Sequence, residues 1–220
     1  MDLNSYNSPM CGRFSVISNS KKVEEHFRLM RSGEFIHSYN VNPSNNIPVV
    51  RLEDGDRILE NMHWGLIPHW AKDKKIKPIN AKAETIGQKP FFRSAFKKSR
   101  CLIPANGFYE WKRANNHKQP YYFKLRGSEL LAFAGLWDHW EHEGEMIDSC
   151  TIITTEANDV MLPVHDRMPV IQDPEDYDTW LLEGNKSLLH PYSGDMIVYP
   201  VSTAVNNPKH NGKDLIEPVE

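Results

Sequence analysis

The sequence has no apolar run long enough to span a bilayer, which excludes a helical membrane protein. Its start, MDLNSYNSPM, has neither a basic n-region nor an apolar h-region, which excludes a secretory signal. Cysteine is scarce. Cys11, Cys101 and Cys150 are odd in number and widely spaced, so they form no disulfide framework, and a reducing cytoplasm is the simpler setting. No Cys–His pair has zinc-like spacing, so neither a metal nor a cofactor is expected. There is no internal repeat and no linker that would split the chain. With 220 residues, 40% of them hydrophobic and 25% charged, one domain with a real core is expected. The same composition excludes disorder, collagen-like repeats and a coiled coil.

Net positive charge is lacking too. The formal charge of −3 argues against a nucleic-acid partner, but its distribution does not. From Lys72 to Arg126 there are 11 Lys and 4 Arg against Asp73, Glu84 and Glu110, a local +12 that leaves −15 on the rest. A basic segment inside an acidic protein suits phosphates, although a solvated Lys-rich face is the commoner reading of charge alone. Phe91, Phe92, Phe96, Phe108, Tyr109, Trp111, Tyr121 and Tyr122 are interleaved with it. They fit stacking platforms for unpaired bases and fit a buried core equally well.

Along the chain, residues 1–10 read as a disordered or removed leader, 11–205 as the domain and 206–220 as a polar, loose tail. Cys11 to Ile17 is a strand. Ser20 caps a helix whose apolar face is Val23, Phe27 and Met30. Asn40 to Pro48 is a turn-rich loop. Pro48 to Glu53, a turn at Asp54-Gly55 and Arg57 to Trp64 form a hairpin. Pro68 to Pro78 is an irregular basic connection, and Pro90 opens a short helix through Lys98. Strands follow near 100–104, 107–112, 120–126, 130–137 and 149–155, with a helical turn at 156–161. Asp173 caps a helix that stops at Gly184, and 195–201 is a last strand. Strands dominate without regular alternation with helices. The expected class is α+β: a single domain with a mainly antiparallel, curved sheet or pseudo-barrel and a few flanking helices.

Taken singly, the residues capable of chemistry have plain readings. A free Cys in a strand, as at Cys11, is more often a small buried hydrophobe than a nucleophile. His165, in LPVHDRMPV, reads by default as a satisfied structural histidine. Asn80, in PINAKAET, fits a turn. Glu110, in GFYEWKR, acquires a raised pKa if the strand turns it inward.

Together they carry a resemblance. MCGRF at 10–14, WGLIPHWA at 64–71, NAKAET at 80–85, RCLIPANGFYEWKR at 100–113, TTEAN at 154–158 and HDRMPV at 165–170 occur in order. These blocks resemble the SRAP family, the SOS response-associated peptidases, from Met10 to about Ser202. The resemblance implies an SRAP-like fold and a sensor of abasic sites in single-stranded DNA. In that family the initiator Met is removed and Cys becomes N-terminal. A 1,2-aminothiol condenses with the open-chain aldehyde of an abasic sugar to an imine, which the thiol closes to a thiazolidine. The crosslink shields the lesion from strand cleavage.

The resemblance also implies roles. Glu110 moves protons during imine formation. His165 is an acid–base group that helps open the sugar ring and permits reversal; imidazole as a residue type exchanges protons near neutrality. Asn80 hydrogen-bonds the sugar or adduct. Arg13, Lys82, Arg93 and Lys98 meet phosphates, and Pro43, Trp64 and Trp70 wedge or stack bases. The expected partner is single-stranded DNA containing abasic sites, bound by a monomer without an obligate protein partner. The expected place is the cytoplasm, on the nucleoid when bound.

Two departures stand out. Lys82 replaces the family's usual Arg, keeping charge but losing the bidentate fork. Residues 1–10 precede Cys11, and while they remain its nitrogen is an amide that cannot form an imine. The working start is expected at Met10, with autoproteolysis between Met10 and Cys11 as the other route. Two further functions compete: a thiol peptidase with Cys11 and His165, and a non-covalent single-strand binding module.

Overall fold

The computed structural model describes residues 11–114 and 117–219. The expected leader, residues 1–10, lies outside the described residues. In chain order the strands are β1 (Arg13–Val16), β2 (Arg31–Ser32), β3 (Ser38–Val41), β4 (Asn46–Glu53), β5 (Asp56–Trp64), β6 (Asn80–Lys82) and β7 (Arg100–Ala105). They continue as β8 (Gly107–Ala114), β9 (His117–Leu125), β10 (Leu131–His142), β11 (Glu145–Glu156), β12 (Arg167–Pro169), β13 (Ile171–Gln172) and β14 (Met196–Pro200). Two α-helices, α1 (Ser20–Phe27) and α2 (Arg93–Lys98), flank them.

The strands form two sheets. The smaller runs β14-β9-β8-β1-β3 and is antiparallel throughout. In the larger, β5, β4, β7, β10 and β11 pair in succession, and β11 pairs back onto β5 in parallel at Ser149–His63 and Cys150–Trp64. That last pairing closes a five-stranded barrel. β6 adds to β11 in parallel, with Asn80 beside Ile152.

The barrel strands read as continuous apolar runs because both their faces are covered. On β10, Leu131 and Phe133 face one core while Ala132, Ala134 and Leu136 face another, the period of two that a strand imposes. The first core joins the barrel to the smaller sheet, through Phe14, Phe108 and Phe123 from one side and Ile47, Met62, Trp64 and Ile103 from the other. The second lies under α1, α2 and the segment containing Tyr177 and Trp180. No helix among the described residues is long and apolar enough to cross a membrane.

Several local expectations change. Asn19, not Ser20, caps α1, its side chain accepting from the Lys22 N–H at 2.9 Å. Met30 falls beyond the left-handed Arg28 that ends α1 and is 73% exposed. The turn-rich loop expected over 40–48 is confined to 42–45, between the end of β3 and the start of β4. α2 begins at Arg93, after turns that include Pro90. Asp173 makes no capping bond; a 3₁₀ turn (Pro174–Asp176) and a π-helical stretch (Thr179–Glu183) follow, ended by Gly184 in the left-handed region as expected. The tail is docked rather than loose. Val205 and Leu215 are fully buried against Tyr109, Tyr122 and Val201, and the Asn40 side-chain amide faces the carbonyls of Val205, Asn207 and His210. Apolar residues so sparse give no periodic signal, so the docking is invisible in sequence.

Candidate functional site

β1 and β8 pair antiparallel with Arg13 opposite Tyr109 and Phe14 opposite Phe108. The same register carried toward the chain's start sets Gly12 and Cys11 beside Glu110 and Trp111. Cys11 takes φ 46°, a left-handed backbone that turns it out of the strand line. Its N–H then donates to Oε2 of Glu110 at 3.0 Å. The other carboxylate oxygen accepts the Trp111 N–H at 3.1 Å. Glu110 is 3% exposed. Burial pushes its pKa above the ordinary carboxylate value; the Cys11 N–H, His165, the Trp111 N–H and Arg113 oppose the rise in that order.

His165 follows a run of turns at 159–164 and is half-buried. Its N–H donates to the Met161 carbonyl at 3.0 Å, and its Nδ1 accepts the Arg167 N–H at 3.1 Å. A backbone N–H is a fixed donor, so this bond assigns the neutral ring's proton to Nε2. Nδ1 is also 3.0 Å from the exposed Asp166 carboxylate, a contact that needs the proton on Nδ1 instead. The buried-side backbone bond is the better guide, because Asp166 is free to turn into solvent.

Glu110 and His165 line one cavity of about 400 Å³ with Gly12, Arg13, Pro43, Trp111, Arg113, Lys118 and Asn206. One buried carboxyl, one imidazole and three basic side chains thus line the cavity, and the carboxyl is bonded to the Cys11 N–H. The Cys11 thiol is wholly buried, and burial followed by the Glu110 charge pushes its pKa up. Among the described residues no hydrogen bond joins its sulfur to His165. The atom presented to a proton acceptor is the nitrogen, not a thiolate.

A model of the family described as SOS response associated peptidase (SRAP) matches residues 10–208. The chain belongs to the SRAP family. It is 46% identical to abasic site processing protein YoqW of Bacillus subtilis (strain 168), across 94% of this chain and 99% of that one. It is 34% identical to abasic site processing protein HMCES of Xenopus tropicalis, across 82% of this chain and 65% of that one. A crystal structure of a Bacteroides thetaiotaomicron protein superposes with TM-score 0.85 at 26% identity, covering 96% of this chain and all of that one.

The SRAP motifs come together unevenly. Glu110, His165, Arg13 and Pro43 line one cavity, and Cys11 is buried beside it, joined through its N–H to Glu110. Asn80 does not line it. It opens β6, and its buried Nδ2 has no hydrogen-bond partner among the described residues. Arg13 is committed locally: its guanidinium donates to the carbonyls of Val205 and Asn206 and lies 5.8 Å from the Trp111 ring centre. Trp64 is a correction. It is fully buried at the end of β5, edge-on to Phe14, with its indole N–H on the Ile79 carbonyl at 3.0 Å, so it is a core residue rather than a base wedge. Trp70, six residues on, is 52% exposed against Phe91, and shares a groove of about 580 Å³ with Pro90, Arg93 and Lys97. Lys98 is exposed at the end of α2, outside that groove, and Lys82 is exposed on β6.

Sequence reading missed Arg113 and Lys118. They stand directly opposite one another on β8 and β9. Together they concentrate positive charge on the cavity lining, and the hairpin register was the signal that would have found them. Asn206 was missed because its segment looked unstructured.

Proposed function

We propose that this chain processes abasic sites in single-stranded DNA by forming a thiazolidine crosslink through Cys11, once Cys11 has a free amino group. The observation that carries the reading is the 3.0 Å contact between the Cys11 nitrogen and Glu110, in a basic cavity shared with His165. The names of the relatives support the lesion.

The geometry supports the following steps. Glu110 takes the proton that makes the Cys11 amine nucleophilic. The amine adds to C1′ of the ring-opened sugar, and the same carboxyl returns a proton to the departing hydroxyl, which leaves as water. The thiol then adds to the imine carbon and its proton passes to the nitrogen. Aldehyde and aminothiol give thiazolidine and one water. A carboxyl with a raised pKa suits both directions of transfer near neutrality. His165 exchanges the proton of the sugar oxygen as the ring opens. Asn80 lies outside the cavity lining, so its contact with the sugar or adduct rests on the family motif and on its unpaired side-chain N–H, not on the cavity's geometry. Arg13, Arg113 and Lys118 offset the charge of the neighbouring phosphates. The peptidase reading gains no support here, because a buried thiol beside a carboxylate is a poor thiolate.

The amide at Cys11 must become an amine, so removal of Met10 and what precedes it is part of the proposal. The test mixes abasic single-stranded DNA with protein starting at Cys11, its Cys11→Ala and Cys11→Ser variants, and the full chain. A band that survives denaturation is expected only from the Cys11-start protein. Equal crosslinking by a full chain whose residues 1–10 are verified intact by mass spectrometry refutes the mechanism.

A further inference from the structure

The connection between β5 and β6 carries Trp70, the exposed ring beside Arg93 and Lys97. Both neighbours of Trp70 are anchored, and from one side. Asp138 on β10 accepts the His69 N–H at 3.0 Å and meets His69 Nδ1 at 2.9 Å, both through Oδ2. Two residues further, on the same face of the strand, Trp140 donates its indole N–H to the Ala71 carbonyl at 2.8 Å. Lys74 pairs with Glu145 beyond the turn. The Ala71 N–H closes the local turn onto Pro68 at 2.9 Å.

The arm that supplies these anchors leaves the barrel. Residues 131–136 of β10 pair with β7 and 135–142 pair with β11, so beyond Leu136 the strand pairs with β11 alone. Trp140 is buried all the same, and the Asp138 side chain is only 13% exposed, because the connection lies across them. A ring that must stack on an unpaired base binds more tightly when its backbone is already fixed, since less freedom is lost on binding.

We propose that Asp138 and Trp140 are positioning residues, which hold Trp70 ready to stack on a base of single-stranded DNA. This rests on the DNA reading above. The arm strengthens binding without touching DNA, so its effect must pass through Trp70.

A double-mutant cycle tests that route. The full chain, W70A, D138A, W140F, D138A/W70A and W140F/W70A are titrated against a fluorescein-labelled, undamaged single-stranded oligonucleotide by anisotropy, with Tm recorded for each. W70A is expected to weaken binding by about tenfold, within the range for one stacked base. D138A is expected to weaken it by about threefold and W140F by about twofold, and neither is expected to weaken binding further once W70A is present. W140F keeps an aromatic ring in place, so its cycle decides if D138A fails to fold. Full additivity of either change to W70A overturns the proposal, as does wild-type affinity in both D138A and W140F, or in W70A. A wild-type chain that does not bind the oligonucleotide overturns the DNA reading itself and this inference with it.

Discussion

Glu110→Gln separates what the buried carboxyl does for the chemistry from what it does to the fold. Gln has nearly the same shape, but one of its two tips is an NH₂. One of the two backbone N–H groups, of Cys11 or Trp111, then faces a donor. Leaving one buried donor unpaired costs about 1–3 kcal/mol. Ionisation acts in the opposite sense. Burial raises the pKa of Glu110 above its unfolded value near 4.5, so the folded state holds the proton more tightly. Its stabilising contribution is complete below that unfolded value and is lost as pH rises through the folded one. At neutral pH the carboxylate is a net burden on the fold, and Gln is not. The Tm of E110Q minus that of wild type is therefore expected to become more positive from about pH 4.5 upward. Capture of an abasic site by protein starting at Cys11 is expected to fall by about 10²–10⁴ at saturating protein, the usual worth of a positioned proton-transfer group. Quenched time courses on denaturing gels measure the second effect, and thermal melts across pH the first. Binding to undamaged DNA should be no weaker, because a negative charge has been removed. A capture rate within about threefold of wild type, far below the expected loss, refutes the role given to Glu110. A Tm difference that shrinks with rising pH refutes the linkage.

Three further changes probe the rest of the molecule. Trp64→Ala should cost about 3–5 kcal/mol in denaturant unfolding, as for any large core ring; loss of DNA binding at unchanged stability would instead make Trp64 a contact residue. Leu215→Ala should cost about 2–5 kcal/mol and expose the C-terminal segment to limited proteolysis, and unchanged cleavage would mean the tail is not docked in solution. Asn80→Ala removes a buried donor that has no partner. Stability should hold or rise by about 1 kcal/mol while lesion capture slows, and a clear destabilisation with normal capture would make Asn80 structural.

Strands whose pattern and turns are local were legible in the sequence. Asp54 and Gly55 both adopt positive φ, 52° and 93°, the geometry their identities favour, and the β4–β5 hairpin follows. Glu143 and Gly144 do the same at 51° and 83°, yet the ends of β10 and β11 were not foreseen. The residues around them are charged, and the arm is held by the connection beneath it rather than by its own apolar pattern. Closure of the barrel by β5 and β11 joins residues nearly ninety positions apart, for which no local period exists. The block containing Trp64 and Trp70 shows the limit for the site. Both rings belong to one motif, and only the end of β5 decides that one is core and the other surface. Cys11 and Glu110 were legible as partners through the family motifs, whereas their contact through nitrogen rather than sulfur depends on the backbone turn at Cys11.

Arg13, two residues from Cys11, is tied to a carbonyl 192 positions later. One wall of the cavity at the first residue of the domain is therefore made near its end. During synthesis Cys11 emerges early, and the wall that Arg13 and Asn206 share exists only once residues near 205 have been made. A truncation near residue 205 is remote from Cys11 in sequence and adjacent to it in space. Loss of lesion capture in such a truncation belongs to the site, not to a distant tail.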